Sequence, residues 1–180
     1  MNEVVEKIKH IYYTFSLLGK GNVALGKGFW RGKSVQIEAI KGKILFGNYC
    51  SIRDFTSVKA NKNASIIIGN HVFFNRNCTV CASENIRIDD NCIFGPNVCI
   101  YDHNHLFDYC GVKHDEYKTS PIYIMHDCWI GANVTVLKGV TIGECSIIGA
   151  GVVLKENVPP HSLVMQETQY IHIEAIREKK

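Results

Sequence analysis

Large aliphatic and aromatic side chains recur every six residues over much of this chain. Ile124, Ile130, Val136, Ile142, Ile148 and Leu154 form one unbroken series. A smaller residue stands two places ahead of each later member, at Cys128, Val134, Val140, Ser146 and Val152, and glycine follows at Gly131, Gly143 and Gly149. Ile88, Phe94 and Ile100 share its phase, and the same spacing recurs in separate blocks at Ile68, Phe74 and Val80 and at Phe46, Ile52 and Val58. A helix repeats near 3.6 residues and a half-buried strand at 2, so neither accounts for six. The period predicts a coil of three short flat strands, each sending one large side chain inward, with successive coils stacked like on like. About five such coils at a strand spacing of about 4.8 Å make a prism roughly 24 Å tall. Each coil buries its face only against its neighbours, so the ends need caps.

The flanks read differently. Val4, Ile8, Ile11, Phe15 and Leu18 have helical spacing and Gly19 ends the pattern, which predicts an amphipathic capping helix within residues 1–20. Residues 20–43 read as an irregular lead-in, the repeat domain spans 21–160, and 161–180 form a tail or cap. Between Ile100 and Ile122 the period vanishes, and residues 101–121 read YDHNHLFDYCGVKHDEYKTSP. A segment this long is no ordinary connection between adjacent strands. It predicts a loop extruded from a rigid prism, the natural carrier of function. It holds His103, His105 and His114, three aspartates and Cys110.

Composition narrows the setting. The 180 residues carry 20 basic and 17 acidic side chains, a formal charge of +3, too weak a bias to indicate nucleic acid or an anionic membrane. No apolar run approaches the roughly 20 residues of a membrane span, and the N-terminus lacks the apolar stretch of an export signal. The expectation is therefore a cytoplasmic protein whose eight cysteines stay reduced. Cys50, Cys78, Cys92 and Cys128 all fall in the small companion position, where a thiol packs as a small hydrophobe. Cys78 and Cys81 have the spacing of half a zinc site, but no second pair completes it, so no metal is expected.

The hexads, the IYDHNH segment, the CWIGANVTVLKGVTIG run and the IIGAGVVLKENVPP ending together resemble the hexapeptide-repeat acyltransferases over residues 44–162. The branch they resemble is that of the sugar O-acetyltransferases, which includes the galactoside, maltose, nodulation and surface-polysaccharide enzymes. The resemblance implies an all-β fold, a left-handed parallel β-helix, and a homotrimer with active sites in the grooves between prisms. It implies acetyl-CoA as co-substrate and a sugar or glycan-precursor hydroxyl as acceptor. On this sequence the family's catalytic histidine falls on His103, with His105 in reserve, and its active-site asparagine on Asn75. Trp129 would line the groove, Gly131, Ala132, Gly149 and Ala150 would let the pantetheine arm lie close, and Lys155 would meet a CoA phosphate. Turn geometry is the competing reading of the glycines, a corner ladder that of Asn75, and a solvated side chain that of Lys155.

The chemistry suits a histidine. A sugar hydroxyl is a poor nucleophile at neutral pH, whereas a thioester is already activated, so a base is the missing component. Imidazole, with an ordinary pKa near 6.5, accepts a proton at pH 7. The sequence departs from the resemblance after Pro160, where HSLVMQETQY replaces the usual CoA-binding continuation, at Met125 in place of a glycine, and at Ser83 in place of an acid. Three other readings compete: an N-acetyltransferase of a nucleotide-linked amino sugar, a metal enzyme of the carbonic anhydrase type, and a prism that binds without catalysis. Cys110 as a covalent acyl carrier is a further mechanism, against which stands an idle thiol in a polar loop.

Overall fold

The computed structural model describes residues 22–166. The helix expected within 1–20 and most of the tail expected at 161–180 lie outside them. What is described is all-β: a parallel solenoid of six coils, three faces to a coil. The first face stacks Val23–Leu25, Lys43–Phe46, Ser65–Ile68, Asn85–Ile88, Ile122–Ile124 and Thr141–Ile142. The second stacks Trp30–Arg31, Ser51–Ile52, Phe73–Phe74, Ile93–Phe94, Trp129–Ile130, Ile147–Ile148 and, beyond the last coil, Leu163–Val164. The third stacks Gln36–Ala39, Ser57–Ala60, Thr79–Ala82, Cys99–Tyr101, Thr135–Leu137 and Val153–Leu154.

Two expectations are corrected. The described part of the lead-in, residues 22–43, is not irregular; it forms the first coil, which brings the total to six rather than five. Its repeat is present but disguised. Leu25, Arg31 and Ile37 keep the six-residue spacing, with Val23, Phe29 and Val35 two places ahead, but an arginine holds one aliphatic position. Part of the expected tail also belongs to the prism, because Leu163–Val164 pairs with Ile147–Ile148.

Register explains the period. Ile44, Ile66, Ile86 and Ile122 are direct partners on successive coils of the first face, and Ile52, Phe74, Phe94, Ile130 and Ile148 on the second. All are buried, and the rings of Phe74 and Phe94 stack with centroids 4.5 Å apart. The four companion-position cysteines are buried as expected, each thiol donating to a carbonyl such as Gly69, Gly95, Met125 or Gly143. The corners turn through left-handed backbone: thirteen non-glycine residues have φ between 55 and 63°, six of them Asn or Asp, the side chains that tolerate this region best.

Among the described residues three buried polar side chains interrupt the apolar core, and each has partners. Ser146 Oγ donates to the Pro159 carbonyl and accepts from the Ser162 N–H. Thr56 Oγ1 donates to the Asn75 carbonyl at 3.0 Å and accepts from the Cys78 N–H at 3.3 Å. The third, Asp102, lies at the corner from which the extruded segment leaves. Among the described residues no helix is long and apolar enough to cross a membrane.

Candidate active site

The corner between the third and first faces normally needs few residues. One coil earlier, Ser83 and Glu84 alone connect Thr79–Ala82 to Asn85–Ile88. The next coil inserts a hairpin there instead. His103–Asp108 pairs antiparallel with Gly111–Thr119, with a register shift between His105 and Leu106. The expected loop is thus an ordered ribbon, and it leaves the prism at the His103–Thr119 pair.

Asp102 fixes the base of this ribbon. Its side chain is fully buried, and its carboxylate accepts the Ser83 N–H at 2.7 Å and the Glu84 N–H at 2.8 Å, two amides of the preceding corner. The same Oδ1 that accepts from Ser83 lies 3.0 Å from His103 Nδ1. A carboxylate at this distance accepts the imidazole N–H at Nδ1, which leaves Nε2 with its lone pair. Tyr117 packs edge-on against the His103 ring at 5.2 Å, and Tyr101 lies edge-on at 6.3 Å. The His103 side chain retains 13% exposure, enough for one edge of the ring to meet a ligand.

His105 differs in burial and in the partner of its Nδ1. It is exposed, its Nδ1 sits 3.4 Å from the Lys113 carbonyl, and its ring tilts against Tyr117 at 4.7 Å. No carboxylate orients it among the described residues. Periodicity and spacing did not single out Asp102; the signal was an acid immediately before a histidine, at the point where the repeat breaks.

Asn75 occupies the corner between the second and third faces, one side of the prism away from His103. Its Oδ1 accepts the Arg76 N–H at 2.9 Å, which fixes the amide orientation and turns Nδ2 outward as a donor. One chain therefore does not bring Asn75 and His103 together.

Trp129 stands on the second face in an outward row with Trp30, Ser51, Phe73, Ile93, Ile147 and Leu163, and is 54% exposed. Gly131 is buried, and a methyl group there would meet the Ala150 nitrogen at 2.7 Å, so the stacking of coils demands this glycine whatever else it does. Ala132 and Gly149 are half-buried and Ala150 is exposed along the same corner. Lys155 is exposed and borders an open cleft of about 540 Å³ at the C-terminal end of the prism, lined also by Val152, Val158 and Leu163.

For a metal, the described residues offer His126, Asp127 and Cys145, all exposed, at the corner between the first and second faces. His126 Nδ1 is already 2.8 Å from the Asp127 carboxylate, which pushes its pKa up. His103 and His105 belong to no such group there.

Residues 121–156 match the family model described as bacterial transferase hexapeptide (six repeats). The six-residue period of the chain is the repeat that this model describes. Galactoside O-acetyltransferase of Escherichia coli (strain K12) is 35% identical to this chain over 98 residues, 54% of this chain and 48% of that protein. The chain spans about half the length of the curated relatives it matches. A hexapeptide-repeat acetyltransferase from Vibrio cholerae O1 biovar eltor, solved in complex with acetyl coenzyme A, has a TM-score of 0.59 at 27% identity, covering 87% of this chain and 71% of that one. The Bacillus cereus N-acyltransferase AntD, in complex with dTDP-4-amino-4,6-dideoxyglucose and coenzyme A, has a TM-score of 0.69 at 21% identity over 84% of this chain and 83% of that one, a likeness of fold.

Proposed function

We propose that the protein is an acetyl-CoA-dependent O-acetyltransferase that modifies a hydroxyl of a sugar or glycan precursor, with His103 as general base. The observation that carries this reading is the buried Asp102 carboxylate, pinned by two backbone amides and 3.0 Å from His103 Nδ1. Such a pair prepares Nε2 to take a proton. The acetyl-CoA complex of the Vibrio cholerae relative and the galactoside O-acetyltransferase likeness support the donor and acceptor classes.

The acceptor oxygen attacks the thioester carbonyl carbon while His103 Nε2 takes the hydroxyl proton. Asp102 stabilises the imidazolium that results. The tetrahedral oxyanion then collapses, the carbon–sulfur bond breaks, and the imidazolium returns the proton to the departing CoA thiolate. Acetyl ester and free CoA leave, and the histidine is neutral again. Asn75 Nδ2 is the donor offered to the oxyanion or the acceptor.

Asn75 and His103 lie on different corners of one prism, so the site closes only between copies. A homotrimer, in which each hairpin reaches the second corner of its neighbour, joins them by a heterologous, cyclic contact. The hairpin's exposed Phe107, Tyr109 and Val112 suit such a contact. Eight unpaired cysteines suit the reducing cytoplasm. Trp129, Ala132, Gly149 and Ala150 would border the pantetheine arm, and Lys155 would meet a CoA phosphate.

Thiol release from acetyl-CoA against a panel of sugars and nucleotide sugars tests the reading, with wild type and His103→Ala side by side. Turnover lost in the variant supports it; undiminished turnover removes His103 from the role and turns attention to His105. Faster transfer to amino sugars than to hydroxyl-only sugars would replace O-acetylation by N-acetylation at the same base.

A further inference from the structure

The corner that carries Asn75 changes character along the prism. The residue following the inward aliphatic of the second face is Arg53, Asn75, Gly95, Gly131 and Gly149 on successive coils, and the next is Asp54, Arg76, Pro96, Ala132 and Ala150. On the C-terminal side of Asn75 the corner is small and uncharged. At Asn75 and one coil before it, the corner carries two arginines, Arg53 and Arg76, against one acid, Asp54.

Arg53 is held in an unusual way. Trp30, Ser51 and Phe73 are direct partners on three successive coils, and the small serine leaves a slot between the two aromatic rings. The Arg53 guanidinium fills it, 4.9 Å from the Trp30 ring centroid and 5.7 Å from that of Phe73. The rings stabilise the charge and restrain the group, but they leave the in-plane N–H donors unused. Among the described residues no carboxylate lies within ion-pair distance of it. Arg76, on the adjacent coil, is 65% exposed and meets Asp54 only at 3.6 Å, while that carboxylate also accepts the Lys33 N–H at 2.8 Å. Two guanidinium groups thus flank Asn75 with one partly engaged acid between them. An uncharged hexose gives such an arrangement nothing to neutralise, whereas a phosphate or carboxylate accepts from the planar fork of an arginine.

We infer that the acceptor is an anionic sugar, phosphorylated or carboxylated, whose charge docks on Arg53 and Arg76 beside Asn75. This rests on the transferase reading above and narrows its substrate class. It separates the two substrates along one corner: the donor over the small residues at Gly131 and Gly149, the acceptor's anion over the arginines.

The test uses the full chain and compares glucose and galactose with their 1-phosphates and their uronates, following thiol release from acetyl-CoA. Wild type should show a kcat/KM at least about tenfold higher for one anionic class than for the neutral hexoses, and the two anionic arms tell phosphate from carboxylate. Arg53→Gln and Arg76→Gln should each raise the KM of the anionic acceptor several-fold while the KM for acetyl-CoA holds. Arg76→Gln removes an exposed side chain, so its result is independent of any packing change at the Arg53 slot. Equal use of neutral and anionic hexoses overturns the inference and leaves the transferase standing. A rise in the KM for acetyl-CoA instead assigns the arginines to the donor and also overturns it. If no sugar turns over, the transferase reading fails with this panel, and calorimetry with the two hexose 1-phosphates and the two uronates decides the subsite separately. Binding that Arg53→Gln abolishes supports the subsite, and absence of binding in the wild type overturns it.

Discussion

Asp102 Oδ1 lies 3.0 Å from His103 Nδ1 while the same carboxylate accepts the amides of Ser83 and Glu84. The two residues are adjacent in the chain but differ in setting, one sealed inside the prism and the other at its rim. The rigid coil below therefore holds the acid, and the acid holds the ring. His103→Ala should lower kcat at least about a hundredfold, the size expected for loss of a general base, with little change in melting temperature. Steady-state thiol release and thermal unfolding of the same preparation check both parts.

Asp102→Asn should damage both properties at once. An amide has one acceptor oxygen where the carboxylate has two, and its NH2 faces a buried backbone donor. One N–H of the Ser83–Glu84 corner is then unsatisfied, at a cost of about 1–3 kcal/mol, and with the NH2 on the Ser83 side the imidazole also loses the acceptor that fixes its tautomer. The expected result is a lower melting temperature together with a kcat loss approaching that of His103→Ala. A variant as stable and active as wild type would remove Asp102 from the mechanism.

The hairpin should be separable from the fold. His103 and Thr119 face each other where the ribbon leaves the coil, and the preceding coil turns the same corner with Ser83 and Glu84 alone. Replacing residues 104–118 by a short glycine-serine turn should leave the β-solenoid circular dichroism intact. Turnover and self-association should both be lost, which analytical ultracentrifugation would report.

The thiols should divide by burial. Burial pushes the Cys78 thiol up to about 11 from an ordinary 9.0, and it also raises Cys50. At neutral pH an alkylating reagent should label Cys110 and Cys145, which are exposed, and spare Cys50, Cys78, Cys92 and Cys128 until the protein unfolds. The pH dependence has a definite sign. The folded state holds Cys78 protonated beyond the point where the unfolded chain releases its proton, so this contribution to stability is whole below about pH 9 and is lost as pH rises toward about 11. Mass spectrometry of labelled protein and melting temperatures across that range test the two statements.

Trp129 and Ile130 are neighbours with opposite consequences. Ile130→Ala opens a cavity between Phe94 and Ile148, which should cost about 2–5 kcal/mol. Trp129→Ala removes a side chain that is 54% exposed and should leave the melting temperature close to wild type. Under the proposed donor placement it raises the KM for acetyl-CoA.

Most of the architecture is written in the six-residue period, because each inward position packs on its counterpart one coil away and the same requirement recurs. The first coil escaped that reading for a physical reason: Arg31 sits at one of its inward positions, where the other coils carry an aliphatic or aromatic side chain. The histidine-bearing interruption was equally visible, since a broken repeat in a rigid prism stands out. Which of His103 and His105 is oriented by an acid was not, because both lie two residues apart in one polar stretch.

The sequence alone thus determined the stacked coils, the buried companion cysteines and the place where the chain leaves the prism, all of them consequences of local spacing repeated along one axis. The tertiary structure decided the rest. It put Asp102 against the amides of a coil some twenty residues earlier, turned Asn75 to a different corner from His103, and laid Arg53 between Trp30 and Phe73. Those relationships depend on which residues of different coils share a corner, and stacking sets that in the third dimension.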